Sequence, residues 1–200
     1  MLAIIEAAGW PIWTIILASV IALAIIGERL WSLRGSLVAP ADLLPEVAQE
    51  LKSGISPATL QRLSEGPLLG HVFAAGLRNV NSSREVMKEA IEEAGRGAAH
   101  ELERFLNTLG TIAYISPLLG LFGTIIGMIE IFSALTPTNA DPSKLAHGIS
   151  VALYNTAMGL VVAIPCMVFY RYFRGKVDSL VLEMELQAIK LVEMVHGERK

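Results

Sequence analysis

Cysteine is nearly missing. Cys166 stands alone among 200 residues, which excludes an internal disulfide framework and a metal site built from several thiolates. Charge is scarce as well: 18% of residues are charged, against about a quarter in soluble domains. The net charge of −3 lacks the basic excess that nucleic-acid binding requires. Aromatic residues make up only 6%. There is no Walker loop, no nucleophile elbow and no HExxH pair. His71, His100, His147 and His196 are scattered without ligand spacing. The expectation is a protein that is not an enzyme and that carries neither cofactor nor metal.

Apolar sequence is what the chain has in excess, at 53% of residues with a mean hydropathy of +0.53. It is gathered into three runs: Trp10 to Gly27, Phe105 to Ile129, and the stretch between Lys144 and Arg171, which only His147 interrupts. A hydrocarbon layer of about 30 Å is crossed by roughly 20 helical residues, so each run is long enough to span. The first reads as a true span and not a cleavable leader. No Lys or Arg precedes it, and no small-residue cleavage site lies before Glu28-Arg29. Fifteen of the sixteen basic residues lie between Glu28 and Arg104 or after Tyr170, and Lys144 is the exception. Positive charge marks the cytoplasmic side. The fold class expected is therefore an all-α membrane protein with three transmembrane helices, N-terminus out and C-terminus in. Its divisions are 1–29 (periplasmic N-terminus and first span), 30–104 (helical cytoplasmic insertion), 105–135 (second span), 136–148 (short periplasmic hairpin), 149–170 (third span) and 171–200 (cytoplasmic C-terminal helix). Trp10 and Trp13 fall at the outer interface of the first span and Trp31 at the inner one.

The insertion shows helical spacing throughout and no strand alternation. Pro57 and Pro67 suit first helical positions, with Ser56 as the N-cap before Pro57. Ser82 and Glu85 have capping-box spacing. Met87, Ile91, Ala94, Ala98, Leu102 and Phe105 then recur at helical intervals and run straight into the second span. Beyond the third span, Val177, Leu180, Val181, Met184, Ala188, Leu191, Val192 and Val195 form one apolar stripe. A helix over Arg171 to His196 is about 40 Å long. Such a stripe must pack on the insertion, on a neighbouring subunit, or on both.

Polar residues inside the membrane separate the spans. The first has only Thr14 and Ser19. The second carries Asn107, Thr108, Thr111, Ser116, Pro117, Gly120, Gly123, Thr124 and Gly127, and Gly123-x-x-x-Gly127 has the spacing that lets helix backbones approach closely. The third carries Ser150, Tyr154, Asn155, Thr156, Gly159 and Pro165, with Ala152, Thr156, Gly159 and Ala163 on one face. Small residues give helix contact and hydroxyls bond back to the preceding turn. Accumulated on two consecutive helices, the same hydroxyls also suit a water chain or a carboxyl group from another helix. Glu130 falls near the outer interface, Glu28 and Arg29 pair at the inner boundary, and Cys166 reads as inert packing.

Two stretches carry a resemblance. The second span reads Leu106-Asn107-Thr108-Leu109-Gly110-Thr111-Ile112-Ala113, then Ser116-Pro117-Leu118-Leu119-Gly120-Leu121-Phe122-Gly123-Thr124-Ile125-Ile126-Gly127-Met128. The third reads Gly148-Ile149-Ser150-Val151-Ala152-Leu153-Tyr154-Asn155-Thr156-Ala157-Met158-Gly159-Leu160-Val161-Val162-Ala163-Ile164-Pro165. Together they closely resemble the MotA/TolQ/ExbB proton-channel family, nearest its ExbB/TolQ branch. The resemblance implies a homopentamer in the lipid of the bacterial inner membrane around two transmembrane helices of an ExbD/TolR-like partner, with a TonB-like protein as a further partner. An aspartate on the partner helix would take up and release protons, and their inflow would turn the partner. It implies that Thr124 and Thr156 are pore threonines facing that aspartate, with Tyr154 and Asn155 as polar neighbours on the proton path. Pro117, Gly120 and Gly123 match tight-packing positions, to which Gly127, Ala152 and Gly159 add packing and partner-facing surface. Val151 stands where that branch usually has glutamate, and the coupling ion is left as proton or sodium. The expected function is the channel-forming stator subunit of an ExbB-like motor energising TonB-dependent outer-membrane transport. The alternatives are a TolQ-like or gliding-type motor subunit and a membrane scaffold with no ion path.

Overall fold

The structure, a computed structural model, describes residues 9–134 and 142–197, and every regular element within them is helical. In chain order these are α1 (Pro11–Ser32), α2 (Gly35–Val38), α3 (Leu43–Ser53), α4 (Pro57–Ser64), α5 (Leu68–Arg78), α6 (Arg84–Leu102), α7 (Leu106–Ala134) and α8 (Pro142–Val195). The chain divides into three apolar stretches long enough to cross a membrane, carried by α1, α7 and α8, and shorter helices between. Of the hairpin expected at 136–148, residues 136–141 lie outside the described residues, as do those before Gly9 and after Gly197, whereas 142–148 are already helical because α8 begins at Pro142, a residue suited to a first helical position.

Two compact units result, with boundaries at Gly27/Glu28, Arg104/Phe105 and Tyr172/Phe173. The first holds most of α1, all of α7 and the first part of α8. Its surface is apolar in a way no aqueous domain sustains. Trp13, Leu17, Val20 and Leu23 are exposed on α1, Leu118, Leu121, Ile125 and Ile129 on α7, and Leu153, Val161, Ile164 and Val168 on α8. Ile12 and Ile15 turn inward, and the Trp10 ring meets Phe122 edge-on with centroids 6.1 Å apart. Pro117 and Pro165 are both accommodated inside helices that continue past them.

The second unit wraps the short helices around the C-terminal part of α8. Val177, Leu180, Met184, Ala188, Leu191 and Val192 are buried, so the stripe packs on the insertion of its own chain. A groove of about 600 Å³ runs between α6 and this part of α8, floored by Val72, Ile91, Met184 and Val192. α4 and α5 approach closely: a Cβ on Gly70 would lie 2.7 Å from the Leu63 carbonyl oxygen. Arg62 bridges back to α3 through Glu46 at 2.6 Å and Glu50 at 2.7 Å. Arg29, buried, pairs with Glu28 and donates to the Leu102 carbonyl at 3.2 Å. That carbonyl ends α6, where helical carbonyls lack intrahelical partners and a cation is favoured.

Four details differ from the sequence expectation. The cap of α6 is Ser83, not Ser82: its hydroxyl accepts from the Val86 N–H at 3.4 Å. Pro67 is the residue before α5 and not its first member, whereas Ser56 caps α4 as expected, accepting from Thr59 N–H at 3.1 Å. The apolar series from Met87 to Phe105 does not run unbroken into the second span. Residues 103–105 form a turn and Phe105 has φ of 63°, a left-handed conformation that stops the hydrogen-bond ladder and is rare for a bulky residue. Finally, the third span and the C-terminal helix are one continuous helix through residue 171, because Arg171, Arg174 and Lys176 are good helix formers with no breaker among them.

Two outcomes follow for the second unit. Leu180→Asp buries a carboxylate with no partner and should lower its unfolding midpoint by the equivalent of about 3 kcal/mol or more. Glu183→Gln, at an exposed position on the same helix, should leave the midpoint within about 0.5 kcal/mol; thermal unfolding in detergent reads both. The Glu85 carboxyl is held below its ordinary value by its own backbone N–H first and then by the Ser83 hydroxyl. A depressed folded value stabilises α6 at neutral pH, and that contribution fades as pH falls through it. Ser83→Ala should move the Glu85 titration upward, followed by carboxyl NMR.

Candidate functional site

The first unit is organised by one seam. On α7 the inward positions are Leu106, Leu109, Ala113, Ser116, Gly120 and Gly123; on α8 they are Ala152, Asn155, Gly159, Val162, Ala163 and Cys166. Steps of three and four keep each series on one helix face. Small residues dominate both, and this lets two membrane helices approach until dispersion contacts hold them.

How close they come varies along the seam. A Cβ on Gly159 would stand 2.6 Å from the Ser116 carbonyl oxygen and 3.1 Å from Gly120 Cα. One on Gly120 would stand 2.8 Å from the Asn155 carbonyl oxygen and 3.0 Å from Thr156 Cα. These neighbours are backbone, which cannot step aside. At Gly123 the obstacle is the Asn155 side chain, at 2.8 Å from Cβ and Cγ. Gly127 differs: a Cβ there would meet Ala152 at 3.8 Å, ordinary contact. The glycine pair singled out by its four-residue spacing is thus half essential, and the tightest contact is the cross-helix pair Gly120 and Gly159. Further along, Gly110 lies against the Tyr170 ring and Gly148 against the Ile131 side chain. Sequence spacing did not register either contact, since it relates positions within a helix and not across two.

The polar groups sort themselves around this seam. Ser116 is buried and donates to the Ile112 carbonyl at 2.7 Å. Thr111 donates to Asn107 at 2.8 Å, Ser150 to Ala146 at 2.9 Å and Thr124 to Leu121 at 2.7 Å. Each hydroxyl is satisfied within its own helix, the usual solution in hydrocarbon. Thr156 is different. It is half-buried, its Cα abuts Gly120, and its hydroxyl makes no hydrogen bond among the described residues, a state that Thr108 shares only at an exposed position off the seam. Asn155, adjacent in sequence, is buried against Gly123, and its amide reaches the Val151 carbonyl at 3.4 Å. Tyr154 is exposed on the opposite side. Thr124 lies one turn from Gly120 and is half-buried. The structure therefore brings Thr156, Asn155, Gly120, Gly123, Gly159 and Ala152 together on the seam. Thr124 and Pro117 flank it, and Tyr154 stands apart. Glu130 is exposed. No cluster of metal-ligating side chains occurs among the described residues.

Gly159→Val should separate α7 from α8, because its branched side chain meets backbone and not a movable group. The expected result is loss of the folded membrane unit in mild detergent. Gly127→Ala, where contact is ordinary, should keep the wild-type melting profile.

Comparison with known proteins shows the family. Residues 65–186 match the family model described as the MotA/TolQ/ExbB proton channel family. A biopolymer transport protein ExbB homologue of Methanothermobacter thermautotrophicus is 33% identical over 156 residues, covering 76% of this chain and 54% of that relative. The chain thus spans about half the length of that relative. The biopolymer transport protein exbB1 of Vibrio cholerae is 30% identical over 166 residues, 80% of this chain and 72% of its own length. The Tol-Pal system protein TolQ of Pseudomonas aeruginosa is 33% identical over 122 residues, 55% of this chain and 53% of the relative. With a family match over more than half its length, seated on the helix pair just described, the chain belongs to the MotA/TolQ/ExbB proton channel family.

Proposed function

We infer that this chain is the channel-forming stator subunit of a proton-motive-force-driven motor in the bacterial inner membrane, of the ExbB type. In this reading five copies surround two transmembrane helices of an ExbD/TolR-like partner, and proton flow energises TonB-dependent transport across the outer membrane. The ExbB-type assignment rests on the relatives that span most of this chain, which carry that name; the TolQ relative matches over a shorter stretch. N-terminus outside and C-terminus inside follows from the distribution of basic residues.

One observation carries the mechanism. Thr156 is the seam residue whose hydroxyl is not committed to its own helix, while Thr111, Ser116, Thr124 and Ser150 all are. A hydroxyl in this state can accept from a protonated carboxyl group of a partner helix and donate to it once ionised. Burial alone disfavours the charged form of such an acid; a polar partner keeps the ionised state reachable, which a carboxyl that must release its proton requires. Thr124, with its proton given to Leu121, retains only acceptor capacity. The two threonines are then complementary waypoints, while the Gly120–Gly159 contact holds Thr156 in place.

Assembly into a ring draws support from the second unit. Leu182, Leu186 and Ile189 are exposed at three-to-four spacing on the C-terminal part of α8. An aqueous helix does not keep a second apolar stripe uncovered.

Thr156→Val removes the hydroxyl at nearly constant shape. Growth dependent on TonB-type uptake should collapse while the complex purifies at normal yield and stoichiometry, and Thr124→Val should act in the same direction. Val151→Ala should be tolerated. Wild-type growth for both threonine variants would reduce them to helix packing, worth about 0.6 kcal/mol each, and favour a scaffold without an ion path. For orientation, single cysteines at Asn139 and Ser53 in a Cys166→Ser background should label from opposite sides of the inner membrane.

A further inference from the structure

The inner end of α1 carries a patch that neither the seam nor the ring reading uses. Trp31, in the last turn of the helix, is 64% exposed. The Arg34 guanidinium carbon stands 4.3 Å from the centre of its ring. Leu30 and Leu37 flank the pair and are 47% and 48% exposed. Beneath them, buried Leu33 and Val38 hold the segment to the protein. The backbone at Arg34 is extended, with φ of −74° and ψ of 129°, and its carbonyl accepts from the Leu37 and Val38 N–H groups at 2.9 and 3.2 Å. The cation is thus held at a fixed place beside an exposed aromatic face.

Its charge is uncompensated. Arg34 makes no ion pair among the described residues. Glu28, the carboxylate closest to it in sequence, is engaged by Arg29. A guanidinium stacked on an indole keeps its N–H edge free, and that edge matches the geometry of a phosphate. The depth is also defined. From Pro11 to Trp31 the helix is continuous, and about 20 helical residues cross the hydrocarbon layer. Trp31 therefore lies where acyl chains meet headgroups, with Leu30 and Leu37 suited to the chains and Arg34 to the headgroup.

We propose that Leu30, Trp31, Arg34 and Leu37 form a binding site for an anionic phospholipid, in which Arg34 takes the phosphate and the Trp31 ring packs on the upper acyl chain. The selectivity for negative headgroups comes from the unpaired cation; the apolar residues alone would accept any lipid. The site depends on α1 crossing the membrane and not on ion conduction, so it stands or falls separately from the stator function.

The test uses Trp31 as the reporter. The chain has three tryptophans, so Trp10→Phe with Trp13→Phe leaves Trp31 alone. This variant is reconstituted with its native partners into nanodiscs containing brominated phosphatidylglycerol or brominated phosphatidylcholine at equal mole fraction. Quenching should report an association about three- to fivefold stronger for the glycerol lipid, the scale of one basic side chain at an anionic surface. Arg34→Gln, on an exposed side chain that does not support the fold, should abolish the difference, and Arg34→Lys should retain part of it. Equal quenching by both lipids with Arg34 present would overturn the proposal. So would an unchanged preference in Arg34→Gln, or protection of Trp31 from both lipids, which would mean that protein covers the patch.

Discussion

The backbone contact between Gly120 and Gly159 is the constraint on which the membrane unit depends. In hydrocarbon no hydrophobic force drives helices together, so cohesion must come from close packing. Each of these glycines faces the other helix's main chain at a distance that excludes a Cβ. Their place in the chain fixes the register of α7 against α8 and, with it, which residues of each helix turn inward. Ala152 meets Gly127, Asn155 meets Gly123, and Thr156 meets Gly120. A slip by one residue would turn the small-residue face of either helix toward lipid and bring Leu153 or Leu160 against a seam with no room for them.

This register also sets the polar chemistry. Most hydroxyls in the spans are neutralised by their own helices, so they cost little to bury and offer little to a visiting proton. Thr156 escapes because its place on the seam leaves it half-buried with its hydroxyl uncommitted. Asn155, the more polar neighbour, is spent on packing against Gly123 and on the Val151 carbonyl. Val151 contributes a backbone acceptor to that arrangement and no titratable group. In the second unit Arg29 does comparable work: its buried guanidinium engages the last carbonyl of α6, tying the foot of the first span to the helix that leads to the second.

Much of this was legible in the sequence, for identifiable reasons. The three spans could be read because a membrane demands long uncharged runs. The C-terminal stripe could be read because Val177 through Val192 recur at helical intervals, and the structure buries them. What the sequence hid was tertiary. A four-residue glycine spacing names Gly123 and Gly127 equally, although only Gly123 faces an obstructing side chain. Gly120 and Gly159 lie 39 positions apart, and no local pattern couples them. Tyr154, Asn155 and Thr156 are consecutive polar residues, and helical rotation sends them to three different environments. The break at Phe105 was equally hidden, since an apolar series at helical spacing gives no sign that a bulky residue will adopt φ of 63°.

The central claim is that the Gly120–Gly159 seam presents Thr156 to a helix of the partner protein. Disulfide trapping tests it most directly. In a Cys166→Ser background, cysteine at position 156 is paired with a cysteine beside the partner helix's carboxylate, and the complex is oxidised in the membrane. The same is done with cysteine at Val161, an exposed position on the outer face of α8. A crosslink is expected from position 156 and none from position 161. A crosslink from position 161 with none from position 156 would contradict it, because the partner would then lie on the face assigned here to lipid.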